Sequence, residues 1–149
     1  GGSMRNSFIV FVISAFAIAG CQQGPTKQEI AGQGEEPLSG KEIRQLLTGN
    51  TLYETGKSGG TNWEFAAFVM EGGKARGRAW WASGEQQGEG SWRIDGNLWC
   101  EHWQRDDWAE GKESCQKVYK RGDNLGFIVV RGSGENDLMT LKQGNPYDL

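Results

Sequence analysis

Two hydrophobic rhythms divide the chain. Ser39-Gly40-Lys41-Glu42 has the S-x-x-E spacing of a capping box, with Leu38 and Ile43 placed as its hydrophobic staple. Ile43, Leu46 and Leu47 follow at helical spacing, and Gly49 stands where a left-handed residue would stop the helix. After Thr51 the rhythm changes to that of strands. Apolar stretches at 51–55, 62–70, 74–82, 88–95, 97–103, 115–121, 124–131 and 137–142 alternate with glycine-rich turn signals, among them Gly72-Gly73, Gly84 to Gly88 and Asp95-Gly96-Asn97. The pattern predicts a mainly β domain over 38–149: a small antiparallel β-barrel or sandwich of 7–8 strands, a meander that resembles the calycins in outline, with one N-terminal α-helix plugging an end.

Ahead of this domain the composition shifts twice. Gly1 to Ser3 read as a cloning scar before Met4. Residues 4–20 carry one charge, Arg5, then the apolar run Phe8 to Ala19, which is too short to span a bilayer and reads as a signal peptide. The run ends in Ile18-Ala19-Gly20-Cys21, which resembles the bacterial lipobox; the resemblance implies lipidation of Cys21. Gln22 rather than Asp after that cysteine implies the outer membrane. Residues 21–37 are rich in Gln, Gly and Glu with a single Ile and no aromatic residue, and read as a flexible tether. The expected location is therefore the bacterial cell envelope, as an outer-membrane lipoprotein facing the periplasm or the surface.

Charge narrows the function classes. The 149 residues hold 16 basic and 19 acidic side chains; loss of residues 1–20 removes Arg5 alone, leaving 15 against 19. A net acidic domain lacks the basic surface that phosphate contacts need, which argues against nucleic-acid binding. Cys100 and Cys115 are an even pair in a chain addressed to an oxidising compartment, and are expected to form a disulfide closing a loop of 15 residues. No C-x-x-C is present to suggest redox catalysis.

All seven tryptophans lie between Trp63 and Trp108. Strand alternation puts Trp99, Glu101 and Trp103 on one face, with Leu98, Cys100 and His102 on the other. Trp80 and Trp81 must point oppositely. The rings either fill a core poor in Leu and Ile or offer a recognition surface, for which Trp81, Trp99, Trp103, Trp108 and Glu101 are the candidates. His102, the single histidine, precedes Asp106, Asp107 and Glu110, but no H-x-E, H-E-x-x-H, EF-hand or G-x-S-x-G spacing occurs. No catalytic residue, metal site or cofactor is implied.

Gly49-Asn50-Thr51, Trp63-x-Phe65, Gly90-x-Trp92-x-Ile94, Leu98-x-Cys100-x-x-Trp103 and Cys115-x-x-Val118 with Gly122 form an ordered set across Leu38 to Phe127. It resembles a group of small secreted bacterial lipoprotein β-domains of unknown function. The resemblance implies a β fold and a disulfide, and carries no active site. The leading expectation is a non-enzymatic, lipid-anchored binding or adaptor domain that recognises an envelope protein or glycan through a Trp-rich sheet face, with the acidic loop 104–113 setting partner choice. The alternative is a carrier of a small apolar ligand in the barrel interior, where Ala66, Ala67, Ala75, Gly77 and Ala79 would leave room.

Overall fold

A computed structural model describes residues 24–149; the signal segment and Cys21 lie outside the described residues. Eight strands, β1 (Thr51–Ser58), β2 (Thr61–Val69), β3 (Lys74–Trp81), β4 (Gly84–Asp95), β5 (Leu98–Trp103), β6 (Ser114–Arg121), β7 (Asn124–Gly132) and β8 (Asp137–Lys142), follow one another in order. Each pairs antiparallel with its neighbour, and β1 pairs with β8 to close a barrel. Closure joins Thr51–Tyr53 to Thr140–Lys142 and leaves no free sheet edge there. The barrel alternative of the sequence reading is the observed one.

Helix α2 (Gly40–Leu47) starts as its capping box predicts, with Ser39 Oγ accepting from the Glu42 amide and Glu42 returning a bond to the Ser39 amide. Gly49, at φ 79°, follows its end. Ile43 and Leu47 are fully buried and join Val69, Trp92 and Trp99 in the main core, so α2 plugs one end of the barrel. Asn97, in the β4–β5 turn, accepts from the Gly40 amide at 2.9 Å and fixes where the plug enters. The indole of Trp92 donates to the carbonyls of Met70 and Lys74 at the same end, and the Arg44 guanidinium lies 5.2 Å above its ring.

Two elements differ from the sequence reading. The supposed tether contains a second helix, α1 (Lys27–Ala31), with a capping box of its own between Thr26 and Glu29. Its one large apolar residue, Ile30, is fully buried. The Ile30 backbone lies so close to Gly126 of β7 that no side chain fits at that position. Arg121 clamps the segment by donating to the Glu29 carbonyl at 3.2 Å and pairing with Glu35 at 2.8 Å. Composition averages hid this, because one well-seated isoleucine suffices where the partner surface is already built. Residues 27–31 are therefore helix rather than tether, and the described residues contain two α-helices rather than one. Secondly, β4 runs straight through Gly84 to Gly88, read as a turn; these positions are strand because bulky rings lie against them.

Cys100 and Cys115 face each other across β5 and β6 and form the expected disulfide. In the chain-entropy picture a 15-residue loop is worth about 3 kcal/mol. Both cysteines are buried on the outer side of the barrel beneath Arg131, whose Nη2 lies 3.2 Å from the Cys115 sulfur and 2.7 Å from Asp95.

Replacing Ile30 with Ala should lower stability in urea by about 2–4 kcal/mol, the usual cost of truncating a buried aliphatic side chain. A solvated tether would lose less than about 0.5 kcal/mol.

Candidate functional site

Odd-numbered positions of β2, β3 and β5 and even-numbered positions of β1 point inward. This alternation builds an interior with two unlike halves. In one half, Phe65, Trp103 and Trp108 meet edge to face, with centroids 5.2–6.0 Å apart. Their room comes from glycine. A Cβ at Gly77 would lie 2.8 Å from the Trp108 ring and 3.0 Å from Trp103, and a Cβ at Gly88 would lie 2.6 Å from Trp108. Gly77 therefore does not leave a void, as the sequence suggested; it admits an indole.

Trp108 is carried by the loop between β5 and β6, which folds back over β4. Arg105 grips Asp107 through two bonds of 2.9 Å, donates to the Gln87 carbonyl, and lies 5.3 Å above the Trp108 ring. Ala109 and Glu110 then adopt left-handed backbone, at φ 49° and 57°, a strained arrangement for non-glycine residues. His102 lies outside the barrel, exposed, with Nε2 2.9 Å from the Gly111 carbonyl. Its contact is with the loop backbone and not with the carboxylates of Asp106, Asp107 or Glu110.

In the other half a cavity of about 410 Å³ remains, opening at the end opposite α2. Leu52, Ala67 and Met139 form its floor; Trp63, Phe65, Trp103 and Trp108 form an aromatic wall. Facing them are Glu54 of β1, Glu101 of β5 and Asp137 of β8, with Ser114 and Gln116 of β6. Exposed Asp107 and Glu135 stand at the rim.

The three inner carboxyls are set deep among protein atoms, yet water reaches them through the cavity. Glu101 accepts from the Trp99 indole at 3.3 Å and from the Gln116 amide at 3.2 Å. Burial pushes its pKa up, against the opposing pull of those two bonds. Burial likewise raises Glu54 to about 8 and Asp137 to about 7, and repulsion from Glu101 and Glu135 adds to both. Glu54 and Asp137 also repel each other, so they titrate as a pair. Among the described residues, none of the three is in an ion pair.

The five candidate residues do not form an exposed sheet face. Trp99 and Trp103 are buried, and Trp99 stacks on Trp92 at 5.2 Å. Glu101 points inward with them. Trp108 is an inner wall, and Trp81 pairs with Trp63 at the mouth. The five candidates thus converge on the interior and its rim: their shared parity was legible, but which side was core was not. Ala66 is also displaced from the expected lining, being the outward neighbour of Ala67. Sequence reasoning missed Glu54, Asp137 and Gln116. The available signal was parity, since Glu54 follows Leu52 by two and Asp137 precedes Met139 by two.

Among the described residues, one trio of possible metal ligands converges: Cys100, Cys115 and Glu113. Its two sulfurs are joined in the disulfide, and Arg93 holds Glu113 through bonds of 2.7 and 2.8 Å. No family model, curated protein or solved structure matches this chain.

Two outcomes follow from this geometry. Gly77→Leu should expel the Trp108 ring into solvent, shifting tryptophan emission to longer wavelength while the disulfide still forms; an unchanged spectrum would contradict the packing described. The raised carboxyls also set the sign of the pH response. Between about pH 4, where unfolded carboxyls titrate, and about pH 8, the folded chain binds more protons than the unfolded one. Stability should therefore rise as pH falls from about 8 to about 5, and this slope should flatten in Glu54→Gln/Asp137→Asn. Exposed Asp95 and Glu113, whose pKa values are lowered by Arg131 and Arg93 respectively, act in the opposite sense but in a more acidic window. Thermal melts across that range check the slope.

Proposed function

We propose that this chain is an envelope binding domain that takes a small molecule into the open end of its barrel. The observation that carries the reading is the cavity of about 410 Å³, walled by four aromatic side chains on one side and by polar groups on the other. A concave, partly apolar site with few convergent polar groups is the usual form of a small-ligand pocket. This places the weight on the interior-carrier alternative. Recognition through an external tryptophan face loses its support, because the rings assigned to it are the walls and the packing of the interior. The acids of the cavity also turn the ligand away from the purely apolar class.

The lipid anchor at Cys21 and an outer-membrane location belong to the same proposal, resting on the lipobox resemblance. Only five residues, 22–26, separate that cysteine from α1, which is seated on the outer face of β6 and β7 near the plugged end. Such a span reaches at most about 18 Å. An anchored domain would hold its plug towards the bilayer and its mouth away from it, open to ligands arriving from the aqueous side.

Naphthylmethanol, an uncharged aromatic probe, tests the reading by calorimetry on the full chain. Saturable binding of one molecule that is lost in Ala79→Trp, which fills the lining, is the expected result. Absence of saturable heat, or equal binding by the filled variant with an unaltered melt, would overturn the proposal.

A further inference from the structure

We propose that the ligand of the barrel is an organic cation, an amine with a compact apolar body, held with its charge against Glu54, Glu101 and Asp137 and its body against the aromatic wall. The inference deepens the reading above and rests on it. Four features of the cavity point the same way.

The first is the imbalance of its lining. Among the described residues it holds five carboxylates, Glu54, Glu101, Asp107, Glu135 and Asp137, of which Arg105 neutralises Asp107 from outside the lining, and no lysine, arginine or histidine of its own. The second is the state of the deepest acid. Glu101 is held by an indole and an amide, both neutral donors, so its carboxyl has hydrogen bonds but no countercharge. Buried ionised groups are ordinarily paired or metal-bound. An arriving cation would supply what the fold omits.

The third is that the three inner acids come from separate strands, β1, β5 and β8, and do not gather at one point. The carboxylate oxygens of Glu54, Glu101 and Asp137 do not converge within the 4.8 Å that would gather three ligands on one metal ion. Their arrangement suits a charge distributed over an ammonium group and its hydrogens better than a bare ion. The fourth is the opposite wall. Trp63, Phe65, Trp103 and Trp108 supply aromatic surface, which binds an apolar body and favours an adjacent cation through the ring quadrupole. An anionic or zwitterionic ligand would set its carboxylate against four carboxyls that have no cation beside them.

The groups facing the charge come from five elements: Glu54 from β1, Glu101 from β5, Asp107 with its partner Arg105 from the loop after β5, Glu135 from the β7–β8 loop and Asp137 from β8. Protons held by Glu54 and Asp137 near neutral pH must leave when a cation enters. Binding is therefore proton-linked: affinity for the amine rises as pH is raised from about 6 to about 8, while affinity for an uncharged analogue stays level.

The test compares naphthylmethylamine, naphthylmethanol and naphthylacetate on the full chain by calorimetry, at about pH 7.5 and in two buffers of different ionisation enthalpy. The amine should bind about tenfold or more tighter than the alcohol, in keeping with a charge-assisted hydrogen bond, and the acetate should not bind detectably. Proton release should accompany the amine alone. In Glu54→Gln/Asp137→Asn, neutral isosteres expected to fold at least as well, the preference should shrink to about threefold or less and the proton release should vanish. Alcohol binding equal to amine binding, abolished by Ala79→Trp, would overturn the cation while leaving the small-ligand reading in place. Failure of all three probes to bind would overturn both. Saturable binding of calcium ions that excludes the amine would reassign the acids to a metal.

Discussion

A carboxylate taken out of water without a cation beside it is costly, and the inside of this barrel holds three. Much of the architecture can be understood as a response to that constraint. Glu54, Glu101 and Asp137 are not packed into an apolar core; they line the half of the interior that stays open to water. The apolar layer lies below them, where α2, Leu47, Val69, Trp92 and Trp99 close the other end. The price of the arrangement is that Glu54 and Asp137 retain protons near neutral pH until something cationic arrives.

The open half exists because the other half is filled so completely. Eight strands make a barrel that side chains can fill or that can hold one small ligand. Here Phe65, Trp103 and Trp108 occupy the side next to β3 and β4, and Gly77, Gly88 and Gly90 give up their own side chains to make room. The rings are large and rigid, so the boundary between packed and open volume is well defined. Trp108 reaches its place through a loop braced by Arg105, Asp107 and the contact between His102 and Gly111. The only histidine and the most charged loop thus work as structure that shapes a binding wall.

Much of the fold was legible in the sequence. The alternation from Thr51 onward, the turn signals and the Ser39–Glu42 box specify the strand order, the plug and its cap. The cysteine pair followed from the compartment implied by the signal segment. The less legible features were those decided by tertiary contact. Glycines at 84–88 carry turn propensity, and only the presence of an indole opposite them explains a continuous β4. Ile30 carries no periodicity by itself; its burial depends on the Gly126 gap in β7. Period-two reasoning grouped Trp99, Glu101 and Trp103 correctly but could not decide which side of the sheet was the inside, since closure is a property of all eight strands together. A charged residue at an interior position, such as Glu54 after Leu52, is the kind of local conflict that marks a functional site.

The central claim is that the interior acids await a countercharge, and a carbon-detected NMR titration of the side-chain carboxyls tests it most directly. In the free chain, Glu54 and Asp137 should titrate near neutrality, well above the exposed acids, and move down by about one unit or more when naphthylmethylamine saturates the barrel. Titration of both near the ordinary carboxylate range in the free chain, or no movement on saturation, would contradict the account.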